Sequence, residues 1–278
     1  MTLLPASLRQ GAVAVLETPV PADKIALTHD LASAWRAGTL PLGPAVTPPL
    51  RPARPPRPEL RLPRDMPKRR SAGSVASRVA LLHALAHIEL NALDLAWDLI
   101  ARFGTEALPR SFYDDWLIVA DEEATHHGLL AARLDHFQAG YGDLPAHDGL
   151  WQAAETTTHD LLARLAVVPL VLEARGLDVT PVMIASLDKV GDNASADVLR
   201  VIYRDEIGHV AIGRRWFDAL CAERGVEPEA TYQALVRRHF KGKLKRPFNT
   251  AARDEAGLPA GFYEGLVGED GDVGAASR

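Results

Sequence analysis

From Ser74 onward apolar residues recur every three or four positions, the period of a helix that buries one face, and four long segments stand out. The first runs from Ser74 to Phe103 and is closed by Gly104. The second runs from Ser111 to Ala139, entered through PRSFYDD and stopped by GYGDLP. The third is expected from Asp148 to Arg175, with Gly176 as its C-terminal signal, and the fourth from Asn193 to Arg224, with Gly225 beyond. A shorter helix starting at Thr180-Pro181 precedes the fourth. Strand patterning is nearly absent, so the body is expected to be all-α.

Ahead of that body the pattern is different. PADKIALTHDLASAWRAG reads as a short amphipathic helix ending at Gly38. Residues 41–67 then hold ten of the twenty prolines, which rules out helix or central strand because proline lacks the N–H donor and fixes φ. An extended arm is expected there, and leucines at 50, 60 and 62 point to an arm lying along a folded surface. The organisation implied is an N-terminal helix and Pro/Arg-rich arm over 1–73, a helical body over 74–225, and a C-terminal helical extension and tail over 226–278.

Composition narrows the classes. At 278 residues with 47% hydrophobic and 24% charged positions, the chain has the make-up of a globular protein able to bury a sizeable core. No apolar run approaches the length needed to cross a bilayer, and the N-terminus lacks a basic start followed by an apolar stretch and a cleavage site, so the expectation is a cytoplasmic protein without a membrane partner. Cys221 is the only cysteine, which excludes an intrachain disulfide and a cysteine-based zinc site. Any metal must be held by histidines and carboxylates. The net charge of −5 hides an asymmetry: Arg51 to Arg70 carries eight basic and two acidic residues, Arg237 to Arg246 six basic and none acidic. Taking those +6 and +6 from −5 leaves the remainder near −17.

The titratable residues can be placed on the helices. In the second, Trp116, Val119, Ala120, Glu123, Leu130, Leu134 and Phe137 form one stripe, and Glu123 lies on it. His126 follows one turn later on the same face, whereas Glu122 and His127 are turned about 100° away on either side. The fourth helix repeats the motif in RVIYRDEIGHVAIG, where Glu206 and His209 share a stripe with Leu199, Ile202, Gly213 and Leu220. The other two helices each set one glutamate among apolar neighbours: Glu89 beside Leu82, Leu85, Ala86, Ala92, Leu93 and Ala96, and Glu173 beside Ala166, Pro169, Leu170 and Leu177. Glu123 follows Glu89 by 34 residues and Glu206 follows Glu173 by 33, a helical hairpin repeated in its chemistry. Four carboxylates in one core repel one another and are costly to bury unless cations neutralise them. Two divalent ions supply +4 against their −4, with the histidines as neutral imidazole donors.

A glutamate from each of two helices plus Glu-x-x-His from the other two resembles the ferritin-like di-iron or di-manganese carboxylate proteins. LLHALAHIELNALDLAWDLI, DDWLIVADEEATHHGLL, VPLVLEARGLDVTP and IYRDEIGHVAIGRRWF, with RPARPPRP before and LKRPFNTAARDEAGL after, are similar to an uncharacterised bacterial ferritin-like family of unknown function, over nearly the whole chain. The resemblance implies a four-helix bundle with a dinuclear centre and carries over Glu89, Glu123, His126, Glu173, Glu206 and His209 as ligands. It supplies no substrate.

Carboxylate-rich ligation suits two iron ions, with manganese or a mixed iron/manganese pair as the alternative. The expected function is an oxidoreductase that activates dioxygen or peroxide and hydroxylates an unidentified small molecule or nucleic acid, served by an electron donor. The alternatives are iron binding and detoxification, or a structural metal site without an organic substrate. The additions before and after the body argue against a storage shell, leaving a monomer or dimer open. Tyr203, three residues before Glu206, is the candidate catalytic phenol, with an ordinary core tyrosine as its other reading. His83 and His87 lie off the Glu89 face and read as packing or surface contacts. His159, fourteen residues before Glu173, is about 21 Å away along an ideal helix, too far to ligate. Pro169 should kink or bulge the third helix one turn before Glu173. Asp205 and Arg204, or Asp121 and Glu122, are candidates to orient a ligand imidazole. The basic stretches admit two readings: a cationic mouth for an anionic substrate, or an arm docked by its arginines on acidic helices. Neither stretch has the interleaved aromatics that stack on single-stranded bases, which counts against nucleic acid.

Overall fold

The computed structural model describes residues 4–62, 65–66, 72–105 and 107–268. Its helices are α1 (Leu8–Glu17), α2 (Pro21–Arg36), α3 (Val75–Arg102), α4 (Arg110–His136), α5 (Gly149–Glu155), α6 (Leu161–Val167), a π-helical segment (Val168–Glu173), α7 (Ala174–Lys189), α8 (Asn193–Arg224), α9 (Pro228–His239), α10 (Thr250–Glu255) and α11 (Ala260–Tyr263). A 3₁₀ turn, Glu264–Leu266, follows. Among the described residues, extended pairing is limited to the isolated bridges Leu60 with Ala146 and Leu244 with Val267. The protein is all-α. The chain divides into two compact units, Met1–Gln152 with Met183–Ile202, and Ala153–Val182 with Tyr203–Arg278.

In the first unit α3 and α4 pack against each other, α1 lies on α3 and α2 on α4. α3 opens with a reciprocal cap: Ser74 Oγ accepts the Ser77 N–H and Ser77 Oγ accepts the Ser74 N–H. Every α3 residue from Leu85 to Ala101 except Ile88 is buried, so the helix is interior on all sides. By length and composition alone α3 is long and apolar enough to cross a membrane over an 18-residue window, contrary to the expectation that no apolar run approaches that length. That window is 72% buried inside the protein, as in a core helix. Below it Leu82, Leu85, Ala86, Leu130, Leu134, Leu187, Ala196, Leu199 and Ile202 form one apolar cluster.

α1 is an element beyond those expected. Its pattern was legible: Leu8, Ala12, Val15 and Leu16 fall at one helical face and are buried, and Ser7 caps the helix by accepting the Gln10 N–H. The arm follows the surface of this unit as expected, though for a different reason. Leu50, Leu60 and Leu62 are 86%, 42% and 49% exposed, so they do not hold it. Backbone bonds do, from Ala53 N–H to Leu16 O and from Arg61 N–H to Ala146 O, together with Arg51 on Asp148 and Arg54 on Asn91 and Asp148. Residues 63–64 and 67–70 of the basic stretch, and the tail beyond residue 268, lie outside the described residues.

The third predicted helix needs correction. It breaks after Glu155 into turns, resumes at Leu161 with Asp160 as its cap, passes through the π segment, and continues past both Gly176 and Pro181 to Lys189. Buried Arg164 secures the break by donating to Thr157 Oγ1 (2.9 Å) and Ala154 O (3.2 Å). His159 is therefore off the helix that carries Glu173, and its ring stands 5.4 Å from that of His239. Gly176 does not end the helix, because an interior glycine costs only about 1 kcal/mol when neighbouring turns are packed. The bulge expected at Pro169 is present as the π segment.

The C-terminal helices pack into the second unit. Arg253 donates to both oxygens of buried Asp178 (2.8 and 2.7 Å) and lies 4.4 Å over the Tyr263 ring, while the Tyr232 ring meets Phe217 and Phe262.

Candidate metal centre

The first unit brings together Glu89 from α3 and Glu123 and His126 from α4. All three are buried, and each offers a ligand atom within 4.8 Å of the others'. His126 Nδ1 is 3.3 Å from Glu89 Oε2 and 3.6 Å from Glu123 Oε2. The local reason is helix geometry: Glu123 and His126 are one turn apart on the buried face of α4, and Glu89 is interior because α3 is interior on every side.

The electrostatics show what this closeness costs. Burial, and then the neighbouring Glu123 charge, pushes Glu89 up to about 8, with His126 pulling the other way. Burial works against a charge on His126 as well, yet the Glu123 and Glu89 carboxylates more than offset it and raise the imidazole to about 11. Protons therefore do the neutralising in the metal-free chain. Glu89 Oε2 is buried without a hydrogen bond, a lone pair that a cation would satisfy. The carboxylate-rich donor set and its burial fit a divalent metal, so this glutamate–histidine cluster can bind a metal ion.

In the second unit Glu206 and His209 lie one turn apart on α8, both buried, with His209 Nδ1 3.8 Å from Glu206 Oε2. Glu173 ends the π segment and is half-buried. The Tyr203 phenol accepts a hydrogen bond from Asn249 Nδ2 at 2.8 Å, and the same amide donates to Leu177 O, so the C-terminal extension fixes this tyrosine's place.

Several neighbours could not be placed from sequence. His127, expected off the inward face, is also buried: its ring stands edge-on to Tyr141 at 5.3 Å, and burial lowers its pKa to about 4. His83 and His87 stack on the same phenol ring. His87 Nε2 lies 3.1 Å from the His147 carbonyl, which can only accept, so Nε2 carries the hydrogen and Nδ1 accepts from the Tyr141 hydroxyl at 2.8 Å. Burial, reinforced by Arg54, drops His87 to about 3. His83 Nε2 accepts the Gly142 N–H at 3.0 Å. Three neutral imidazoles thus anchor the loop after α4 to α3 and α4. The one sequence signal for this was GYGDLP, read only as a helix stop. Asp121 faces α2, where it pairs with His29 (2.6 Å) and Arg36 (2.8 Å), and Arg204 pairs with Asp205 (2.9 Å).

These shifts set a pH profile. Glu89 and His126 bind their protons more tightly folded than unfolded, so the stability they contribute is present at low pH and is lost as pH rises towards 8 and 11. His83, His87 and His127 act oppositely, since chains held neutral by burial lose stability as pH falls below 6.5. The metal-free protein should therefore melt highest near pH 6.5. Each proton displaced per pH unit is worth about 1.4 kcal/mol, or about 2–4 °C per kcal/mol for a unit of this size. Melts from pH 5 to 9 with chelator present check this, and a profile that climbs from 6.5 to 8 contradicts it.

Comparison with known proteins agrees with the extent of the pattern. Residues 17–264 match the family model described as a protein of unknown function, DUF455. An uncharacterized protein of Haemophilus influenzae is 43% identical over 209 residues, covering 73% of this chain and 72% of the relative. No solved structure matches. The chain belongs to the DUF455 family.

Proposed function

We propose that the protein is a ferritin-like di-iron carboxylate oxidoreductase, with Glu89, Glu123 and His126 as metal donors in the first unit and Glu173, Glu206 and His209 as metal donors in the second. The observation that carries the reading is the buried Glu89–Glu123–His126 cluster, two carboxylates and an imidazole that need a cation or protons to coexist. The Glu206–His209 pair repeats the α4 motif and doubles the donor set. Iron is preferred to manganese or a mixed pair for its redox range; two such ions would supply electrons to dioxygen or peroxide. The chain's own residues hold the ions, exclude water by burial and release protons from Glu89 and His126 as metal enters. An organic substrate and an electron donor complete the reading. Near-total burial of Glu123, His126 and His209 favours a second reading, a structural or iron-binding site without organic substrate. Aerobic mixing of the ferrous-loaded protein separates them: rapid oxidation with turnover supports the enzyme, and an inert ferrous form supports the structural site.

The adjacent histidines make a sharper test. His126→Ala is expected to weaken metal binding by about 10-fold or more. His127→Ala should leave metal content unchanged and lower the melting temperature, because it removes a ring packed on Tyr141. Metal analysis beside thermal melts reads both. The reverse pattern would place the wrong imidazole at the metal.

A further inference from the structure

The π segment Val168–Glu173 is an unusual backbone in a chain otherwise helical by ordinary rules, and three residues of the second unit account for it. Pro169 has no N–H to give the carbonyl one turn back, and its ring crowds that carbonyl. The widened turn shows in the bonding: the Ala174 N–H reaches Pro169 O, five residues back, and Val171 O. The Leu170 carbonyl instead accepts the buried Tyr232 hydroxyl from α9 at 3.0 Å. The Pro169 ring is accommodated by a missing side chain on α8, where a Cβ on Gly213 would stand 2.5 Å from Pro169 Cγ and closer still to its Cβ. Real Cβ atoms essentially never approach so near. Gly213 is one turn beyond His209 on the same face of α8, and Glu173 is the last residue of the π segment.

We propose that Gly213 and Tyr232 are positioning residues for Glu173: with Pro169 they hold open the π turn that sets where the Glu173 carboxylate stands. This inference rests on the reading of Glu173 as a metal ligand. Substituting alanine at Gly213 drives Cβ into the proline ring and shifts the turn. Removing the Tyr232 hydroxyl takes a hydrogen bond from the Leu170 carbonyl and frees the turn to relax towards α-helical bonding, rotating Glu173.

The test uses the full chain and cobalt(II) as the probe, read by equilibrium titration and the visible absorption of the bound ion, with circular dichroism and melting temperature alongside. Tyr232→Phe is the mild variant. It should keep the helical signal, weaken cobalt binding by about 10-fold and alter the absorption envelope, as Glu173→Ala does. On the Glu173→Ala background it should add nothing to the loss, a non-additivity that a merely structural tyrosine would not show. Gly213→Ala should behave like Tyr232→Phe. A wild type that takes up no cobalt overturns the metal reading and this inference with it. A wild type that loads, beside a Tyr232→Phe protein with the same affinity and spectrum, or losses from Tyr232→Phe and Glu173→Ala that add independently, overturns the positioning role alone.

Discussion

Replacing Glu123 and Glu206 together by alanine is expected to abolish metal uptake, taking the protein from about two equivalents of iron or manganese per chain to near zero when metal is supplied during expression. The two residues carry the paired motif on α4 and α8, and both are buried, so neither loss can be made good by a surface carboxylate. The effect should be large for an electrostatic reason. Glu89 already holds its proton to about 8 beside Glu123, and with Glu123 gone the remaining Glu89 and His126 form a pair that needs no cation. The fold should tolerate the change, since removing a buried carboxylate relieves repulsion. Elemental analysis and thermal melts of the purified variant check both halves, and full metal retention would end the dinuclear assignment.

The largest stability effect is expected at Lys24, far along the chain from the metal donors. Its ammonium, almost fully buried, binds Asp94 of α3 and the Ala53 carbonyl of the arm (3.3 Å), tying α2, α3 and the arm together. The same knot continues through Thr28, whose hydroxyl donates to Lys24 O (2.9 Å) and accepts from the Trp97 indole (3.0 Å). Burial pushes Asp94 upward, opposed by Lys24 and Arg54. Lys24→Met keeps the stem but strands Asp94, and breaking a buried pair in this way costs about 3–5 kcal/mol. The double variant Lys24→Met with Asp94→Asn should recover most of that, because no uncompensated charge remains. The cost of the single variant should also shrink on acidification as Asp94 takes a proton. Urea unfolding at two pH values measures it. Equal losses in the single and double variants would show that the contact serves by packing and not by charge.

How much of the candidate site was legible follows from what is local. Glu123 with His126, and Glu206 with His209, are one turn apart, so backbone geometry alone sets each pair on one face. Glu89 could be added because its neighbours at helical spacing are apolar. The second imidazole of α4 could not be placed: expected off the inward face, His127 lies four residues, or about 40° of helix phase, from Glu123, and Tyr141, fourteen residues further on, covers its ring and buries it. His87 and its partner His147 are separated by 60 residues, and nothing local announces their bond.

The sequence by itself determined the all-α class, the bounds of α3, α4 and α8 to within a few residues, and the spacing of the glutamates and histidines, because helical period, caps and proline chemistry act over one or two turns. Only the tertiary structure decided where a stop signal is overruled. Gly176 and Pro181 read as boundaries, yet α7 runs through both, since packing outweighs a propensity cost of about 1 kcal/mol for the glycine and about 3 kcal/mol for the proline. It also decided the course of the arm, held by Arg51 and Arg54 on Asp148 and Asn91 and not by its exposed leucines. The form of the bulge at Pro169 was settled in the same way, by a glycine 44 positions away and a tyrosine hydroxyl 62 positions from the carbonyl it caps. Such contacts depend on shape and on polar groups finding partners across long stretches of chain, and residue-by-residue periodicity holds no record of them.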